Sequence, residues 1–216
     1  MKKRILFLSA MFLTTVISVA AIDPHSVVHT PNPCQMWENT YDKKDFPKKI
    51  KQTPQAHICS QALNFSLNEL VRLPENKSPY SLHIHQKDML NMSYFLLKGL
   101  LQKDQRIVIR TKYMSRSPLK VAHLEQLASQ GKLILYVDSD DLSTYDLKKL
   151  AQQPLEMHID LKALQPHYFR LLEIIQAYQK SHQQPLHLYS TQDPFPEFKM
   201  EKLKSYQIRI HQDSLI

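Results

Sequence analysis

From residue 80 to the end, the chain alternates short apolar runs with segments of helical length, and few folds tolerate that rhythm. The apolar runs are SLHIH (81–85), RIVIRTKY (106–113), KLILYVD (132–138), LEMHIDL (155–161), PLHLYS (185–190) and YQIRIHQ (206–212). Between them lie MLNMSYFLLKGLLQ (89–102), PLKVAHLEQLASQ (118–130), STYDLKKLAQQ (143–153) and LQPHYFRLLEIIQAYQKSH (164–182), all patterned as helices. A Pro-rich turn and a short helix are expected between the last two strands. Ser117 and Ser143 are expected as caps, Pro118 as a first helical residue, and Gly131 and Pro154 as stops. Strands separated by helices at this spacing need crossover connections, so the sheet is expected to be mainly parallel, with about 5–6 strands flanked by helices in a single α/β domain.

The segment before residue 80 is less regular. The first 21 residues have a secretory-leader pattern: a basic MKKR, an apolar ILFLSAMFLTTVISV, and small residues ending at Ala20 and Ala21. Such a leader implies export to the periplasm or beyond. Its removal takes the formal net charge from +8 to +5, a mildly basic surface. Residues 22–79 are expected as an N-terminal arm, rich in Pro, Lys, Asn and Thr. Within it, 58–73 fits a strand (Leu63, Phe65, Leu67) or a helix (Leu67, Leu70, Val71). The two cysteines, Cys34 and Cys59, are expected to pair in an oxidising compartment. No later stretch is long and apolar enough to predict a membrane-crossing helix.

Several chemistries are excluded by composition. The only glycines are Gly99 and Gly131, so neither a G-x-G-x-x-G nor a P-loop phosphate cradle can be built, and no cofactor is expected. There is no G-x-S-x-G nucleophile elbow. The polar residues that draw notice sit at strand ends, where parallel α/β sheets gather their ligands. In SLHIHQKD, His83 and His85 are two apart, which on a strand puts both imidazoles on one side, about 7 Å apart. Asp138, Asp140, Asp141, His158, Asp160, His187, His211 and Asp213 are further strand-end candidates. Two readings stay open. The rim, with His83, His85, Lys87, Arg110, Lys112, Arg116 and Asp138, holds an anionic ligand without turning it over. Alternatively, His and carboxylate groups converge as a hydrolytic, metal-assisted site.

The stretch YMSRSPLKVAHLEQLASQGKLILYVDSDD (113–141) resembles the phospholipase D superfamily, particularly its small secreted single-motif nucleases. Tyr113, Ser117, Pro118, Gly131 and Asp138 fall where that pattern puts them, and the resemblance spans roughly residues 81–160. It implies a phospholipase D-like half that binds an anionic ligand. Because one such half needs a twin to complete a site, it also implies a homodimer. The family's H-x-K-x-x-x-x-D motif is missing. His158 is followed by Ile159 and Asp160, and the H-x-K of His85, Gln86 and Lys87 has Met92 at the Asp position. The resemblance therefore implies an exported binding or accessory protein of the envelope, with a phosphodiesterase as the alternative.

Overall fold

A computed structural model describes Cys34 and residues 40–53, 56–74, 78–103, 105–161, 168–183, 186–190, 206 and 208–212. Its strands are β1 (His57–Cys59), β2 (Tyr80–His83), β3 (Gln105–Arg110), β4 (Leu133–Val137), β5 (Glu156–Asp160), β6 (Leu186–Ser190) and β7 (Ile208–Gln212). They form one seven-stranded sheet in the order β1-β2-β3-β4-β5-β6-β7, with every neighbouring pair parallel. The helices are α1 (Phe46–Gln52), α2 (Leu67–Arg72), α3 (Gln86–Met89), α4 (Tyr94–Leu101), α5 (Val121–Ala128), α6 (Thr144–Ala151) and α7 (Tyr168–Ser181).

This α/β architecture agrees with the sequence pattern, and each strand expected from residue 80 onward is present. The seventh strand, β1, comes from the stretch expected as an arm. Of the two readings of residues 58–73, the helix holds from Leu67, whereas Leu63 and Phe65 lie in no strand; the strand of this stretch ends earlier, at Cys59. The Cys34–Cys59 disulfide is formed. The Pro-rich turn, the short helix after it and the leader lie outside the described residues.

Local chemistry sets the helix boundaries. Ser143 caps α6, its hydroxyl accepting from the Asp146 amide at 3.1 Å, and Ser66 and Glu69 form a reciprocal box at α2. The single helix expected over 89–102 is divided. α3 ends at Met89, and Ser93 starts α4 by accepting from the Leu96 amide at 3.1 Å. Ser117 does not cap α5. Its hydroxyl accepts from the Leu119 amide, and the helix begins at Val121 behind a Lys120 amide held by His123 Nδ1 at 3.2 Å. Gly131 follows α5 with φ +67°, a conformation that a side chain disfavours.

A sheet whose strands follow chain order, joined by right-handed crossovers, carries its helices on one face. The packing agrees. Buried side chains from α1 to α7 join one cluster with Ile58, Leu82, Ile107, Ile109, Leu135, Met157, Ile159 and Leu188. These strand residues share one parity. The alternate positions point the other way. There a separate small cluster of Val108, Ile134, Tyr136 and Tyr189 is surrounded by polar side chains. The expected flanking by helices is thus one-sided among the described residues.

Candidate functional site on the helix-free face

Strand register arranges this second face in rows. The first runs Cys59, His83, Val108, Ile134, Glu156. The next runs Arg110, Tyr136, His158, His187, Arg209. At the carboxyl end come Asp138, just past β4, then Asp160 opposite Tyr189.

The middle row is packed ring on ring. The Arg110 guanidinium lies over the Tyr136 ring, 5.2 Å from its centre. The ring of Tyr136 is 5.9 Å from that of Tyr189. His158 stacks on His187 and on Tyr189, with centres 5.0 and 5.3 Å apart. His158 is 5% exposed and is oriented by Glu156, whose Oε1 accepts from His158 Nε2 at 2.5 Å. The other carboxylate oxygen of Glu156 accepts from Arg106. Burial alone would push this carboxyl up, but His158 and Arg106 outweigh it and hold Glu156 at about 2.

The Tyr136 side chain is 7% exposed, and its hydroxyl finds no hydrogen-bond partner among the described residues. Burial, then the charges of Asp160 and Asp138, push its ionisation upward against Arg110, so it stays a neutral O–H donor. Buried donors are normally satisfied, so this hydroxyl is open to a water or a ligand.

The expected rim residues are distributed in three groups. Arg110 Nε donates to Asp138 Oδ2 at 2.6 Å, and the Lys112 amide donates to Asp138 Oδ1 at 2.9 Å. His83 and His85 do not share a strand face, because β2 ends at His83. Its Nε2 meets Nδ1 of His57 at 3.0 Å. His85 instead caps α3, its Nδ1 accepting from the Lys87 amide at 3.4 Å and its own amide donating to Ser60 Oγ at 2.8 Å. Burial, aided by Lys87 and Arg110, lowers the His85 pKa against Asp88, and burial with Arg106 and His158 lowers that of His57. Lys87 and Arg116 stand exposed, and Asp141 accepts from Ser115 at 3.0 Å. His211 lies in register with Tyr189, while Asp213 is outside the described residues. Among the described residues, no three His, Cys, Asp or Glu side chains are grouped so as to hold a metal ion.

The sequence reasoning missed His57, Arg106, Tyr136, Glu156 and Tyr189. The signal was present in EMHID and LHLYS, where polar residues alternate with aliphatic ones. Strands of a sheet covered on both faces read as continuous apolar runs, so this alternation marks a face without helices.

No helix among the described residues is long and apolar enough to cross a membrane. The disulfide is consistent with an oxidising compartment. Comparisons with family models, with curated proteins and with solved structures find no match to this chain.

Proposed function

We propose that the carboxyl end of the helix-free face binds a small ligand bearing a phosphate or similar anionic group, and that the protein is an exported binding component of the bacterial envelope. The observation that carries this reading is the buried hydroxyl of Tyr136, without a hydrogen-bond partner among the described residues, on a ring that the Arg110 guanidinium covers. A neutral donor next to a guanidinium offers two kinds of hydrogen bond to one anionic oxygen. Its location at the carboxyl end of a parallel sheet is where such folds bind ligands. The leader-like first 21 residues and the disulfide support export. The resemblance to the phospholipase D superfamily favours a phosphate ester, and the missing H-x-K-x-x-x-x-D motif removes that family's nucleophile.

Calorimetric titration with inorganic phosphate and with bis(p-nitrophenyl) phosphate tests the reading. Binding is expected, with loss in Arg110→Ala that keeps its circular dichroism. Failure of the intact, folded protein to bind either probe overturns it.

A second reading, hydrolysis of a phosphodiester, is favoured by one observation: the buried His158 is aligned by the half-buried carboxylate of Glu156, as a general acid or base must be. Release of p-nitrophenol that disappears in His158→Gln would establish it over simple binding.

A further inference from the structure

The helix-free face is shielded from water although no described helix or strand packs on it. Val108 is 5% exposed and Ile134 4%, as deep as side chains of the helix-covered core. Arg106 crosses β4 to meet Glu156, but its side chain is 47% exposed and does not seal the row. The row that holds Val108 and Ile134 begins at the disulfide and runs Cys59, His83, Val108, Ile134. Ile58 joins the helix-side core, so Cys59, the next residue, points to the helix-free side. Its bond to Cys34, with 5.2 Å between the Cα atoms, sets Cys34 above that face at β1.

The chain leaves Cys34 in two directions. Toward the carboxyl terminus it is bound for the other side of the sheet: Tyr41 bridges to Leu63 and, with Phe46 of α1, joins the helix-side core. Toward the amino terminus stand the twelve residues 22–33, IDPHSVVHTPNP. They carry one charged side chain, Asp23, and an apolar pair, Val27 and Val28. Pro24, Pro31 and Pro33 favour an extended chain and remove amide donors, so such a segment can cross strands without ladder partners. An extended chain of this kind advances about 3.1 Å per residue, so Val28, six residues before Cys34, has a reach of about 19 Å. Strands spaced about 4.8 Å apart put Val108 about 10 Å and Ile134 about 14 Å from Cys59, within that reach.

We infer that residues 22–33 lie across the helix-free face along the row of Cys59, His83, Val108 and Ile134, with Val27 and Val28 packed on Val108 and Ile134. Removing these aliphatic side chains from water drives the packing. The disulfide makes the contact intramolecular, so a segment from a second copy would have to compete with one already tethered beside the row. The segment walls the amino side of the neighbouring row, which carries Arg110 and Tyr136, and leaves the carboxyl end open. The packing is independent of the ligand reading, since it needs the two valine pairs, whereas that site needs Arg110 and Tyr136.

The test uses the wild-type chain with its valine and isoleucine methyl groups isotopically labelled. Nuclear Overhauser contacts are expected between the methyls of Val27 or Val28 and those of Val108 or Ile134. Their absence overturns the inference, and so does their appearance between differently labelled chains in a mixed sample, which would make the occupant a second copy. The pair Val27→Asp with Val28→Asp is expected to lose these contacts and to unfold about 5 °C or more below the wild type, with the disulfide still formed by thiol assay. An unchanged unfolding temperature in that variant overturns the packing as well. None of these readouts involves phosphate, so their failure leaves the ligand reading standing, and failure of phosphate titration leaves the packing standing.

Discussion

The imidazole of His158 lies nearly parallel to that of His187, with 16° between the ring planes and 5.0 Å between their centres. The two residues are register partners on β5 and β6, so the stack is set by the backbone. His158 is also fixed by Glu156 and faces Tyr189, whereas His187 is half-buried. Truncation should follow this order. His158→Ala is expected to cost about 2 kcal/mol in urea unfolding, and His187→Ala about half of that. Equal costs would show that the Glu156 bond and the Tyr189 contact add nothing.

Glu156 gives the fold an acid-side limit. Its carboxyl is lowered from an ordinary 4.5 to about 2, so its stabilising contribution is complete above pH 4.5 and is lost as pH falls toward 2. Glu156→Gln is expected to unfold at lower temperature than the wild type at pH 6, with the gap narrowing between about pH 4.5 and 2. A gap that stays constant over that range would refute the assignment.

Tyr136→Phe separates binding from stability. The hydroxyl has no partner to lose among the described residues, so unfolding free energy should change by less than about 1 kcal/mol, in either direction. Affinity for phosphate should fall about three- to tenfold, the range of one hydrogen bond. A large drop in stability would mean that the hydroxyl is bonded within the protein.

Asp138 should behave in the opposite way. Its side chain is 3% exposed, and it accepts from Arg110 and from the Lys112 amide. Asp138→Ala leaves the partly buried Arg110 guanidinium and the buried Thr111 hydroxyl without this acceptor and is expected to cost about 3 kcal/mol, measured by chemical denaturation. A cost under about 1 kcal/mol would show that water replaces the carboxylate freely.

The Cys34–Cys59 bond joins residues 25 apart in sequence and fastens Cys34 to the end of β1. Loop entropy assigns such a link about 3–4 kcal/mol. Cys34→Ser with Cys59→Ser should lose about that much, and reduction of the wild type should bring it to the same unfolding midpoint.

The strands after residue 80 were legible because each is an apolar run between helix-length segments. Residues 89–102 were not read correctly, because continuous apolar patterning hid the break that the Ser93 cap makes. β1 was missed because a three-residue strand, HIC, carries too little pattern to declare itself. For the site, Arg110 and Asp138 could be named from their place at strand ends, and they do meet. The partners of His83 and His158 could not. His57 reaches His83 from the neighbouring strand, which depends on register, while Glu156 meets His158 from two residues along the same strand, on the face the helices leave open.

The order of the sheet has a consequence for how the molecule is made. Every strand lies beside the one that precedes it in the chain, so no segment must wait for a distant partner. Pairing that stays between consecutive units lowers the entropy lost at each closure and favours quick assembly. Such a chain can build itself step by step from one end, each new strand finding its template already in place.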